Sequence, residues 1–218
     1  LVVWAAKLLG RPVKWVGQRS DAFITDFHGR DNMTHAELAL DQDGKFLGLL
    51  VDETANLGAY ISGRGAIPPV LNQPALAGTY QTPAIHVRVR GMFTNTVPTD
   101  VYRGAGRPEA IYLLERLIDK AADELNIDRV ELRRRNMIPA DAFPYKTPLG
   151  LTYDGGLFER NLDEGLRRID WEGMELRRAE AKARGTRRGI GLANYVERSG
   201  HGVTQDATLR VGHDGGVT

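Results

Sequence analysis

Between Pro108 and Leu125 the residues Ile111, Leu114, Leu117, Ile118, Ala121, Ala122 and Leu125 recur at helical spacing, and the proline stands where a first turn accepts one. A helix with one apolar stripe must bury it against other elements. Just upstream, Ile85-His86-Val87-Arg88-Val89-Arg90-Gly91-Met92-Phe93 alternates as a half-buried strand does. Any fold for this chain must therefore accommodate a strand, a polar connection from Thr94 to Asp100, a Gly/Arg-rich turn and a long helix, in that order.

Residues Leu1 to Gly10 read as the last turns of an apolar-faced helix, with Gly10 as a left-handed cap and Pro12 blocking continuation. Val13–Val16, Thr34–Leu40 and Phe46–Asp52 read as strands. Asp43-Gly44 between the last two is a hairpin signal. The Gly- and Pro-rich stretch from Gly58 to Gly78 reads as an irregular loop. Asp128, followed by Glu131, has the look of a helix cap, opening a short helix through Arg135. Phe158 to Arg184 reads as one or two amphipathic helices interrupted near Asp170 and closed by Gly185, and Gly189–Val196 as the start of a new strand system. Ala207–Val211 reads as a strand leading to a turn at His213–Gly216. The expected fold class is α+β: mixed sheets with helices packed on one face. Both ends look cut, so an internal segment of a longer polypeptide is expected.

Composition narrows the chemistry. The 218 residues contain no cysteine, which removes thiolate metal sites, iron–sulfur ligation and thiol nucleophiles from this chain. With 29 basic and 28 acidic residues there is no global charge to draw nucleic acid or an anionic membrane. No stretch approaches a membrane span. His28, His35, His86, His201 and His213 lack any metal-ligand spacing, so no metal ligands are assigned. Arg133-Arg134-Arg135 and the basic residues from Arg177 to Arg188 are interleaved with Glu172, Glu175 and Glu180, the pattern of a solvated, ion-paired face. Glu109 and Glu115 read as cap and surface charges. Trp4, Trp15 and Trp171 read as core or interface anchors, and Ser199-Gly200-His201-Gly202 as a glycine-flanked turn without a third catalytic partner.

The segment with chemical content is Tyr102-Arg103-Gly104-Ala105-Gly106-Arg107-Pro108-Glu109. Glycines let backbone approach a ligand, a helix start presents unpaired N–H groups, and arginine offers forked donors to an anion. A tight turn with two solvated arginines would use the same residues. This segment resembles the active-site loop in the molybdopterin-binding large subunits of the xanthine dehydrogenase, aldehyde oxidase and aerobic carbon monoxide dehydrogenase family. Arg11-Pro12-Val13-Lys14-Trp15, His28-Gly29-Arg30, Glu131 to Met137 and Gly189-Ile190-Gly191-Leu192-Ala193 extend the resemblance along most of the chain.

The resemblance implies molybdopterin as cofactor, completed by regions outside this chain. It implies Arg103 as a catalytic electrostatic stabiliser, and Tyr102, Arg103, Gly104, Ala105, Gly106 and Arg107 as cofactor-binding, with Glu197 to Gly202 close by. Gly104 stands where carbon monoxide dehydrogenases carry a copper-ligating cysteine, which places the chain in a copper-free branch. Purine-oxidising members carry an aromatic at the position of Ala105, so the implied substrate is an aldehyde or an aromatic heterocycle. Hydroxylation by oxygen from water is implied, with electrons passed to iron–sulfur and FAD subunits, in a cytoplasmic and oligomeric protein without membrane or nucleic-acid partners. Residues 1–155 are expected to form most of the first cofactor-binding unit, and 156–218 the connecting helices and the start of the second. The fragment alone is expected to be inactive. Two other classes stay open on the residues: a non-catalytic assembly module of the same fold, and a phospholigand or nucleic-acid binder using the Arg103–Pro108 helix start.

Overall fold

The computed structural model describes residues 1–197 and 206–217. Its centre is a three-stranded sheet of β1 (Asn32–Leu40), β2 (Phe46–Gly58) and β3 (Ile85–Phe93), in that spatial order. β1 and β2 form the antiparallel hairpin that Asp43-Gly44 signals, with Gly44 at φ 77°. β2 and β3 run parallel, so the chain crosses between them, and part of the crossover is helix α3 (Ile67–Ala75). This mixed sheet carries helices on one face. The inward residues of β2, Leu49, Val51, Ala55 and Leu57, are buried, while Leu47 and Leu50 on the same strand are exposed.

Helix α4 (Arg107–Leu125) lays its stripe on that face. Ala110, Leu114, Ile118 and Ala122 form a single core with Phe46, Leu49, Val51, Leu76 and Tyr80. The Phe46 and Tyr80 rings meet edge-on with centroids 5.7 Å apart. Helix α5 (Arg129–Asn136) begins where Asp128 accepts hydrogen bonds from the Val130 and Glu131 amides, as the sequence suggests. A two-stranded ribbon, β4 (Tyr145–Lys146) and β5 (Thr152–Tyr153), then leads to α6 (Phe158–Ile169) and α7 (Met174–Ala183). These two helices break at Asp170, which sits at φ 51°. No helix among the described residues is long and apolar enough to cross a membrane.

Several local expectations fail for identifiable reasons. Val13–Val16 has no strand partner among the described residues, and Trp15 and Val16 are exposed; alternation alone does not supply a neighbouring strand. Two short helices go unseen. α1 (Val2–Leu9) ends at Gly10 as expected, but α2 (Arg19–Thr25) is set by a reciprocal cap between Gln18 and Asp21. The supposed loop from Gly58 to Gly78 contains α3, because Pro68 and Pro69 occupy first-turn positions, where their missing N–H groups forfeit no helical bond. Gly189–Val196 is not a strand: its amides and carbonyls go to side chains, Asn194 N–H to Glu115 and the Leu192 carbonyl to Arg133. Of the Ala207–Val211 hairpin, an isolated Val211–Val217 bridge is present. Trp171 packs against the core, whereas Trp4 and Trp15 are exposed rather than core residues.

The largest departure is electrostatic. Arg133 and Glu115, read as solvated charges, are 0% and 4% exposed. The Arg133 guanidinium lies 2.9 Å from both Glu115 and Asp119 of α4 and donates to the Arg129 and Leu192 carbonyls. Tyr80 Oη donates to the other Glu115 oxygen at 2.7 Å. Burial pushes the Glu115 carboxyl up, while Arg133 and the Tyr80 hydrogen bond oppose the rise. The rest of the basic run behaves as a surface: Arg134 pairs with Glu159 and Asp163, and Arg135 with Glu131. Replacing Arg133 with Met strands two acidic groups in the core and is expected to cost about 3–5 kcal/mol, read from the urea unfolding midpoint of the polypeptide containing this domain.

Candidate functional site

The connection from β3 to α4 is held on both sides before it reaches the glycine turn. Thr94 N–H donates to the Gly58 carbonyl and Ala59 N–H to that of Thr96, both at 3.0 Å. Gly58, at φ 75°, lies so close to Pro98 that any β-carbon would overlap it. On the other side runs the segment that precedes β1: His28 N–H donates to the Pro98 carbonyl at 3.1 Å, and Asp100 N–H returns to His28 at 2.7 Å. Gly29 faces Tyr102, whose Cβ would stand 2.9 Å from a side chain there.

The turn itself places Gly104, Ala105 and Gly106 successively at positive φ, 96°, 45° and 97°. Ala105 N–H donates to the Tyr102 carbonyl at 2.7 Å and Arg107 N–H to that of Gly104 at 3.1 Å. Gly106 is the N-cap of α4, and no side chain caps the helix start. A β-carbon on Gly106 would overlap the Pro68 carbonyl oxygen of α3 and come within 2.9 Å of the Asn72 amide nitrogen. The turn is therefore pressed against α3 at a point where only glycine fits.

The expected site residues come together because they are contiguous, but they differ in setting. Arg103 is exposed, and none of the ion pairs among the described residues involves it. Tyr102 is 65% exposed, with the Arg30 guanidinium 4.6 Å from its ring centroid. Arg107 is half-buried, pairs with Glu197 at 2.9 Å and donates to the Gly104 carbonyl at 3.4 Å. Glu197 thus does reach the turn; Ser199 and His201 lie outside the described residues. Among those residues no group of three or more His, Cys, Asp or Glu side chains could hold a metal ion.

The molybdopterin cofactor-binding domain model matches residues 1–137, which covers α1 to α5 and the whole turn. The chain belongs to this family. The chain is 38% identical over 208 residues to the carbon monoxide dehydrogenase large chain of Hydrogenophaga pseudoflava, covering 91% of this chain and 25% of that protein. It is 29% identical over 223 residues to the 6-hydroxypseudooxynicotine dehydrogenase complex subunit gamma of Paenarthrobacter nicotinovorans, covering 100% of this chain and 28% of that protein. Quinoline 2-oxidoreductase from Pseudomonas putida 86 superposes with a TM-score of 0.78 at 31% identity, over 84% of this chain and 24% of that one. The chain thus spans about a quarter of the length of the curated relatives it matches.

The residues present suit an anionic, oxygen-bearing group such as this cofactor. The start of a 19-residue helix without a side-chain cap brings its positive dipole end to the turn, Gly104 and Gly106 let the backbone press against Pro108 and α3, and Arg103, in none of the ion pairs among the described residues, can add charge.

Beneath the turn lies a feature that sequence reading missed. Glu53 of β2 is fully buried and accepts a hydrogen bond from the Asn72 side chain of α3. Glu53 Oε1, Asn72 Oδ1 and Glu109 Oε2 are buried without hydrogen-bond partners among the described residues, so Glu109 is not the solvated cap charge expected of it. The signal was there to read: Glu53 sits in phase with Leu49, Val51, Ala55 and Leu57, a carboxyl on the apolar side of a strand.

Burial pushes the Glu53 carboxyl up to about 7 from 4.5; the Asn72 bond opposes the rise and the Glu109 charge adds to it. Folding thus favours the neutral form. The resulting stability is fully present below about pH 4.5 and is lost as pH rises through about 7. Between those limits the loss amounts to about 3 kcal/mol. Glu53→Gln should remove this fall, so that the difference in urea midpoint between variant and parent grows in the variant's favour from pH 4.5 to pH 8.

Proposed function

We propose that this chain forms one wall of the catalytic chamber in a molybdenum hydroxylase large subunit. The observation that carries the reading is the Tyr102–Arg107 turn: three successive left-handed residues wedged against α3, leaving an exposed arginine, without an ion pair among the described residues, beside an uncapped helix start. In this reading residues 1–155 make up most of the first cofactor-binding unit, and 156–218 supply connecting helices and the start of the second. The rest of the same subunit, with iron–sulfur and FAD subunits, completes an oligomeric cytoplasmic enzyme; the chain alone is inactive.

When bound, the cofactor supplies two-electron oxidation coupled to transfer of water-derived oxygen. The residues of this chain bind and orient. The Gly104–Gly106 backbone shapes a floor without side-chain bulk, and Tyr102 and Arg107 flank it. Arg103 directs its guanidinium at charge that develops during the reaction and stabilises it in a site from which water is largely excluded. Substrates are read as aldehydes or aromatic heterocycles. The names quinoline 2-oxidoreductase and 6-hydroxypseudooxynicotine dehydrogenase among the similar proteins support a ring substrate, and Ala105 leaves room for one. Although another relative is a carbon monoxide dehydrogenase, copper is not part of this reading: Cu(I) selects soft thiolate ligands, and the chain has no cysteine.

Molybdenum analysis of this chain alone and of the complete polypeptide with its partner subunits tests the reading. Metal in the long form alone is the expected result; a long form without molybdenum, made in cells competent for cofactor synthesis, overturns it and favours an assembly role. In the loaded enzyme, Arg103→Met is expected to lower kcat by about a hundredfold or more at unchanged molybdenum content.

A further inference from the structure

We propose that Arg30 is the positioning residue for the Tyr102–Arg107 turn, and that through it the segment preceding β1 sets the direction of Arg103. The inference rests on the functional reading above and adds a residue to it.

Arg30 lies some seventy positions upstream of the turn, yet one guanidinium meets the turn at three places. Nη2 donates to the Arg103 carbonyl at 2.5 Å, the plane lies over the Tyr102 ring at 4.6 Å, and Nε stands 3.7 Å from Glu109 in the first turn of α4. The contacts therefore span the residue before the turn, the reactive arginine itself and the helix that follows.

The Tyr102 carbonyl is taken by the Ala105 amide and the Gly104 carbonyl by the Arg107 amide. Arg30 takes the Arg103 carbonyl between them. With all three acceptors held by donors within the domain, the Arg103 peptide planes cannot rotate without breaking a hydrogen bond. That fixes the Cα–Cβ direction of Arg103 while its guanidinium remains exposed.

Arg30 is itself firmly set. It adopts φ 52°, an unfavourable region for a residue with a β-carbon, and its neighbours hold it there. His28 is bonded to Pro98 and Asp100 on one side, and Asp31 binds Asn56 of β2 through backbone and side chain on the other. Lysine could keep the charge near Glu109, but it lacks the planar fork that donates to a carbonyl and lies over a ring at once.

The test uses the molybdenum-loaded holoprotein and two variants, Arg30→Lys and Arg30→Gln, the second keeping a planar amide that can still donate to the Arg103 carbonyl. Three quantities are read: molybdenum content, kcat against KM, and the electron paramagnetic resonance spectrum of the partly reduced metal. For Arg30→Lys the expectation is near-parental metal content, a shifted spectrum and a kcat lowered about tenfold to a hundredfold with KM within about threefold, since a displacement on the order of 1 Å is costly in rate. Arg30→Gln should move the same readouts less far, and it decides the question if Arg30→Lys fails to accumulate. Parental spectra and kcat in the accumulating variants overturn the positioning role; absence of molybdenum from the parent protein instead overturns the functional reading beneath it.

Discussion

A single arginine with no exposed surface joins most of what this domain holds together. Arg133 comes from α5, its two carboxylate partners from α4, and the Tyr80 hydroxyl that completes the Glu115 shell from the connection between α3 and β3. The extended stretch through Leu192 and Asn194 is tied to the same cluster. In an apolar core such a group is tolerated only when every partner arrives, so the cluster fixes the register of these elements against one another. The apolar cluster that joins α4 to the sheet and to the elements around it would accept small slips that the charge cluster does not.

Fixing α4 fixes the turn at its start. The helix has no side-chain cap, its first residues stack onto α3 at Gly106, and the loop ahead is bonded to the end of β2 and to the segment before β1. The chemistry attributed to the turn thus sits on a scaffold braced from three directions, although the segment has no regular structure of its own. Glu53 and Glu109 add polar atoms just below it, in a place where a packed domain would ordinarily put hydrocarbon.

Much of this was legible from residues alone. The α4 stripe, β3, the hairpin at Gly44, the Asp128 cap and the break at Asp170 follow from periodicity and local cap chemistry, which act within a few residues. The turn was legible through its likeness to a family loop, not through physics, since glycines and arginines before a helix are common. Long-range facts were not legible. The burial of Arg133 depends on Glu115, 18 positions away, and the clamp by Arg30 on a contact across 73. Extended stretches such as Val13–Val16 misled because alternation describes which sides face solvent, and says nothing of whether another strand lies alongside. Gly- and Pro-rich composition suggests a loop where α3 lies, because Pro68 and Pro69 stand at first-turn positions that a helix tolerates.

The same prolines bear on the unfolded chain. Pro68 and Pro69 both lie in the first turn of the nine-residue helix that backs Gly106. Each restricts its own φ before any tertiary contact forms, and a compatible proline favours the native state by about 0.4–1 kcal/mol through the entropy the denatured ensemble no longer has. The wall behind the turn therefore owes part of its rigidity to covalent rings rather than to neighbours. It would keep that share even in a partly opened domain whose packing had loosened.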